Sequence, residues 1–134
     1  MASKNAWGRG FTDLQIIAAR SALVLAEQLY REFTAVKLLQ PFEASVQNKK
    51  QRMDLTIEAM DRLVEYGIAD VTAAATFYMA ETYLDFSRDL ATSERPNDLQ
   101  PADLQTYELA LEEEAFPFEE KAIDVHVKNL ESLQ

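Results

Sequence analysis

The stretch DVTAAATFYMAETYLDFSRDL, residues 70–90, decides how this chain is read. No Gly or Pro interrupts it, and Ala73, Thr76, Ala80 and Ser87 recur at helical spacing among Phe77, Tyr83, Leu84 and Phe86. Small side chains let a neighbouring helix come close while large ones interdigitate beside it, so the segment predicts a helix in tight contact with others. These residue types carry interaction chemistry and no reaction chemistry. The rest of the chain reads as packing partner to this helix.

Upstream, Thr12 followed by Gln15 is a capping box, with Phe11 and Ile16 as its hydrophobic staple, so a first helix is expected from Asp13 to about Leu38. Its polar residues make only a narrow stripe, which predicts more than one neighbour. Pro41 has no N–H to donate and is expected in the first turn of a second helix reaching Tyr66. That helix carries one face of Phe42, Val46, Met53, Ile57, Met60 and Val64, and an exposed Glu58–Arg62 pair. Gly67 is expected to end it in the left-handed conformation, and Asp70 to cap the third helix. The short link makes helices two and three antiparallel neighbours.

Downstream, SERPNDLQP is the densest turn chemistry in the chain, and Pro101 restarts a helix with Asp103 in its first turn. Leu104, Tyr107, Leu111 and Ala115 continue its buried face. Pro117 is expected to kink or interrupt it, leaving a last segment from Phe118 to near Leu130 with Ala122, Ile123 and Val127 inward. The expected architecture is all-α, with four to five helices in antiparallel pairs. Residues 1–11, with Trp7, Gly8 and Gly10, form an irregular lead-in, and residues 12–134 form one helical domain.

Composition bounds function mainly by exclusion. At 134 residues the chain can bury roughly 68% of its unfolded surface, enough for a core. No Cys is present, which removes thiol catalysis and zinc–thiolate sites. A net charge of −10 disfavours nucleic acid and anionic lipid, with Lys49, Lys50 and Arg52 the one basic cluster. The greasiest run, residues 16–26, is too short to span a membrane and contains Arg20, and MASKNAWGRG holds no apolar run that could serve as a signal peptide, so none is expected in this segment, and localisation stays open if the segment was cut from a longer chain.

No catalytic motif emerges, so an enzyme is not expected. Gly8 and Gly10 are a lone G-x-G without a strand before it. His126, the single histidine, has Ile123 three residues before it where a carboxylate-bridged metal bundle needs Glu, so it reads as a surface or half-buried histidine. The acidic Glu112, Glu113, Glu114, Glu119 and Glu120 read as a solvated face, because a hard-cation site needs convergent oxygens. No cofactor is expected. The rival reading is a self-contained four-helix bundle holding haem or a metal, with His126 and Met53, Met60 or Met79 as axial ligands.

A faint internal repeat pairs LVLAEQLYREF (residues 23–33) with YMAETYLDF (78–86), and QPFEASV (40–46) with FPFEEKA (116–122), the second copy carrying about 22 extra residues between anchors. In Thr76-Phe77-Tyr78-Met79-Ala80-Glu81-Thr82-Tyr83, a large apolar residue, a small one and an aromatic follow the order of the first helix of a tetratricopeptide repeat (TPR), with Met79, Ala80 and Tyr83 in its signature places. Together with LVLAEQLY, DFSRDLATSERP and YELALEEEAFPFEEKAI, the chain resembles a divergent stretch of the large TPR proteins of Gram-negative bacteria. It departs from the pattern at Thr76, where the family has Trp, in unit length, and in its insertion.

The resemblance implies a right-handed α-solenoid fragment, taken from a longer chain, that acts as a protein-binding scaffold. It suggests a periplasmic or cell-envelope setting. The partners it implies are other proteins or peptides, with self-association through exposed stacking faces. Carried over by position, the ligand-facing residues are Arg20, Leu23, Glu27, Tyr30 and Arg31 in the first helix, then Ala74, Phe77, Glu81, Leu84 and Asp85 in the third.

Overall fold

The computed structural model describes residues 11–132. Within them the chain forms four helices, α1 (Asp13–Ala35), α2 (Phe42–Val64), α3 (Ala69–Ala91) and α4 (Pro101–Ser132), and no strand. The lead-in containing Trp7 lies outside the described residues.

Helix α1 begins where its cap predicts. Thr12 Oγ1 accepts from Gln15 N at 3.0 Å while Gln15 Oε1 accepts from Thr12 N at 2.7 Å, which satisfies two backbone donors reciprocally. Gly67 ends the α2–α3 turn at φ +70°, a conformation a Cβ would strain. Pro101 opens α4, with Asp103 in its first turn. Pro41 stands one residue earlier than expected, as the N-cap of α2, after a cis peptide bond with Gln40.

Two clusters of buried side chains run along the axis of the fold. At the α2–α3 turn, Ala19 and Ala26 of α1 meet Met60 and Leu63 of α2 and Val71 and Ala75 of α3. At the other end, Phe33, Met53, Phe86 and Leu90 close with Leu38 and with Ala115 of α4. The early part of α1 therefore meets the late part of α2 and the early part of α3, so α1 and α3 run parallel with α2 antiparallel to both. Burying each large apolar side chain contributes about 1.5–3 kcal/mol. The alanines among them set how closely the helices approach.

Helix α3 packs against all three others, most extensively against α4. Phe86 meets Phe118 edge-on with centroids 4.7 Å apart, and Phe77 lies 6.3 Å from His126, so α4 runs back along α3. The two interhelix loops at the far end are tied to each other. Gln40 N donates to Glu94 Oε1 at 3.3 Å, and Gln40 Nε2 to the Glu94 carbonyl at 3.2 Å.

Three expectations are corrected. The N-cap of α3 is Ile68, without a side-chain cap; Asp70 sits inside the first turn and pairs with Arg20 at 3.1 Å. Helix α4 continues through Pro117 as one element, so there are four helices and the FPFEEKA anchor lies mid-helix while QPFEASV opens one. Because α4 is unbroken, its register runs on from Leu111 and Ala115 to Phe118, Ala122 and His126. Ile123 and Val127, expected inward, are exposed.

Candidate functional site

The parallel packing of α1 on α3 runs two rows of residues alongside each other. Successive turns of α1 supply Arg20, Leu23, Glu27, Tyr30 and Arg31, and successive turns of α3 supply Ala74, Phe77, Glu81, Leu84 and Asp85. Residues three, four and seven apart share a helix face. Tyr78, which the sequence reading left out, joins the two rows: its ring lies 4.9 Å from that of Tyr30, and its hydroxyl donates to Glu27 Oε2 at 2.6 Å.

The phenols titrate above their ordinary range. The Tyr78 hydroxyl is held up first by its bond to Glu27, then by burial and the charge of Glu27, with Arg31 opposing. Burial raises Tyr30 most, and the negative charges of Asp85 and Glu81 add to it against the pull of Arg88. Both rings therefore present neutral hydroxyls at neutral pH. Glu81, Asp85 and Arg88 lie near enough to Tyr30 to act on it, so α3 brings a cation, Arg88, into the face. Its signal in the sequence was its position one turn beyond Leu84.

Arg20 and Arg31 remain exposed; Arg20 bridges to Asp70, and Arg31 donates to Gln28 Oε1 at 3.2 Å. Leu23, Ala74, Glu81 and Leu84 are half-buried. Phe77 is exposed, with its ring between Tyr78 at 5.9 Å and the half-buried His126 of α4 at 6.3 Å. His126 thus packs against an aromatic ring. Among the described residues no group of His, Asp and Glu could hold a metal ion.

Asp85 differs from its neighbours on the face because part of it turns inward. Lys49 of α2 is wholly buried, and its Nζ donates to the Val36 carbonyl at 2.8 Å and to Asp89, lies 3.0 Å from Asp85 Oδ1, and sits 4.5 Å above the Phe33 ring. That Asp85 oxygen is out of water and meets Lys49 in ion-pair contact off the hydrogen-bonding direction. Burial pushes the Asp85 carboxyl above its ordinary range, Lys49 pulls it down, and Asp89 adds to the rise. A signal for Lys49 was available: it falls three residues after Val46 and four before Met53, in the middle of the apolar face of α2.

No family model matches the chain, and no curated protein or solved structure matches it. No helix among the described residues is long and apolar enough to cross a membrane.

Proposed function

We propose that the chain is a non-enzymatic scaffold of TPR-like helix pairs, α1 with α2 and α3 with α4, which binds other proteins through the face shared by α1 and α3. The observation that carries this reading is the contact between Tyr30 and Tyr78, which joins the first helices of the two pairs into one surface. That surface combines what a protein interface uses: rigid aromatic rings with a polar end, half-buried aliphatic side chains, and charges of both signs in Glu27, Glu81, Arg31 and Arg88. The resemblance in residues 76–83 supports the same assignment of roles. In this reading α2 and the inner side of α4 hold the first helices in register and take no part in binding.

Capture tests it. The chain is immobilised, exposed to extract of its source cells, and compared with an Arg31→Glu/Glu81→Arg double variant of equal helix content. Loss of the retained proteins in the variant is the expected result, and equal retention removes this face as the binding surface. Asp85 is left untouched because reversing it would place a cation against the buried Lys49.

A further inference from the structure

We propose that the outer side of α1 is a docking surface for an antiparallel helix pair of the same make as α1–α2. Leu14, Ile17, Val24 and Leu25 follow this side and are between 59% and 78% exposed. Ala18, Ser21 and Gln28 complete it and are exposed as well, so it carries no charge over about four turns. It points away from the buried Ala19, Ala26 and Phe33. Single exposed apolar residues are ordinary on a protein surface, whereas four of them along one uncharged side form a patch.

The chain itself shows what covers such a side. Setting Ala26-Glu27 on Ala80-Glu81 pairs each residue of α1 with the one 54 positions later in α3, a helix of equal length running parallel to it. Ala26 and Ala80 are both buried, as are Phe33 and Ser87, and Glu27 and Glu81 are both half-buried, so the pairing holds in the fold. Under it, Leu14, Ile17, Ser21, Val24 and Leu25 take the places of Ile68, Val71, Ala75, Tyr78 and Met79. Those five belong to the first core cluster, whose other members are Phe11 and residues of α1 and α2, with none from α4. The side of α3 that a helix pair covers is thus the side left bare on α1.

The chemistry of the occupant follows from that cluster. On α3 the side is met by small residues of one helix, Ala19 and Ala26, and by larger ones of the other, Met60 and Leu63. Ile16 and Val24 stand where α3 has Asp70 and Tyr78, which bond to Arg20 and Glu27. The pair that docks on α1 therefore makes apolar contacts where α1 makes polar ones. A second copy of this chain has no such seam free, because its own α3 fills it. The inference rests on the helix-pair reading given above, but capture through Arg31 and Glu81 tests the binding face alone, so either can fail without the other.

An extended chain tests it, with residues 1–67 followed by residues 14–134, so that the Gly67 turn enters the second α1 as it now enters α3. The expected result is added helix content, one cooperative unfolding transition, and amide exchange about tenfold slower across residues 14–28 of the second α1. Leu14→Glu/Ile17→Glu in that second α1 is expected to abolish the slowing, while the same pair of substitutions leaves the urea midpoint of the natural chain nearly unchanged. A second version joins the added pair through a flexible Gly/Ser linker, so that a strained turn cannot mask docking. An added pair that unfolds separately, or unchanged exchange in α1, in both versions overturns the proposal. So does a large loss of stability in the natural Leu14→Glu/Ile17→Glu chain, which would mean that the lead-in already covers the row. Sedimentation showing self-assembly of the natural chain that dissolves on these substitutions would assign the row to a second copy and also overturn it.

Discussion

Lys49 of α2 holds its ammonium 3.0 Å from a carboxylate oxygen of Asp85 on α3 while exposing none of its own surface. A lysine is normally solvated, so its burial requires the surroundings to replace water. Here the Val36 carbonyl, Asp85, Asp89 and the face of Phe33 do so. The cluster ties the end of α1, the beginning of α2 and the end of α3 at one point.

Removing Lys49 should therefore cost more than its packing. Lys49→Ala leaves two carboxylates side by side without their cation and is expected to destabilise the fold by about 3 kcal/mol, the lower end for a broken buried pair because both carboxylates keep some contact with water. Lys49→Met retains the stem and should lose less. Urea unfolding of the three chains measures the difference.

The raised pKa of Asp85 fixes the sign of a pH effect. In the folded chain its carboxyl takes up a proton at a pH where the unfolded chain, near 3.8, does not. Between those two values the native state binds more protons, so the contribution of this residue to stability falls as pH rises through its native pKa and recovers as pH falls. The native chain should therefore gain on an Asp85→Asn variant as pH is lowered from neutral toward 3.8. Urea midpoints of both proteins across that interval provide the check, and a constant difference would contradict the assignment.

Close approach at α3 predicts intolerance of added volume. Ala75 and Ala80 expose no surface, and Ala75 lies against the α1 and α2 side chains of the first core cluster. Ala75→Leu should destabilise by about 1–3 kcal/mol through overpacking, without any loss of polar contacts. Chemical denaturation compared with Ala74→Leu, at a half-buried neighbour, separates crowding from helix propensity.

Pro117 lies inside α4 and is exposed. A proline there withholds one backbone donor and crowds the preceding turn, so Pro117→Ala should stabilise the chain by up to about 3 kcal/mol and raise its helical circular dichroism signal. An unchanged thermal midpoint would mean that the turn around Pro117 has already accommodated its ring.

Legibility in the sequence followed how local the cause was. Thr12 with Gln15, Gly67 and Pro101 act through their own backbone and marked the ends they occupy in the fold. Asp70 misled because a free Asp before a helical run is a good cap, whereas here the four-residue turn starts α3 earlier and Arg20 engages the side chain. Ile123 and Val127 misled because a helix broken at Pro117 could reset its register, and an unbroken one cannot. At the candidate face, the two rows followed from helical spacing, but their junction depended on Tyr78 and Glu27, 51 residues apart. Lys49 was read by its charge as part of a basic cluster, and only the helices around it supply the reason to bury it.

The central position of α3 governs how the molecule comes apart. Among the described residues it packs on every other helix and holds the most extensive of these contacts, while α1 and α4 lean on it from separate places. Amide protons of α3 should be the last to exchange with deuterated solvent, with α1 and α4 opening independently from their unsupported sides. A cut in the 92–100 loop would release α4 as a peelable strap, whereas severing the 65–68 turn would divide the protein through its slowest-exchanging half.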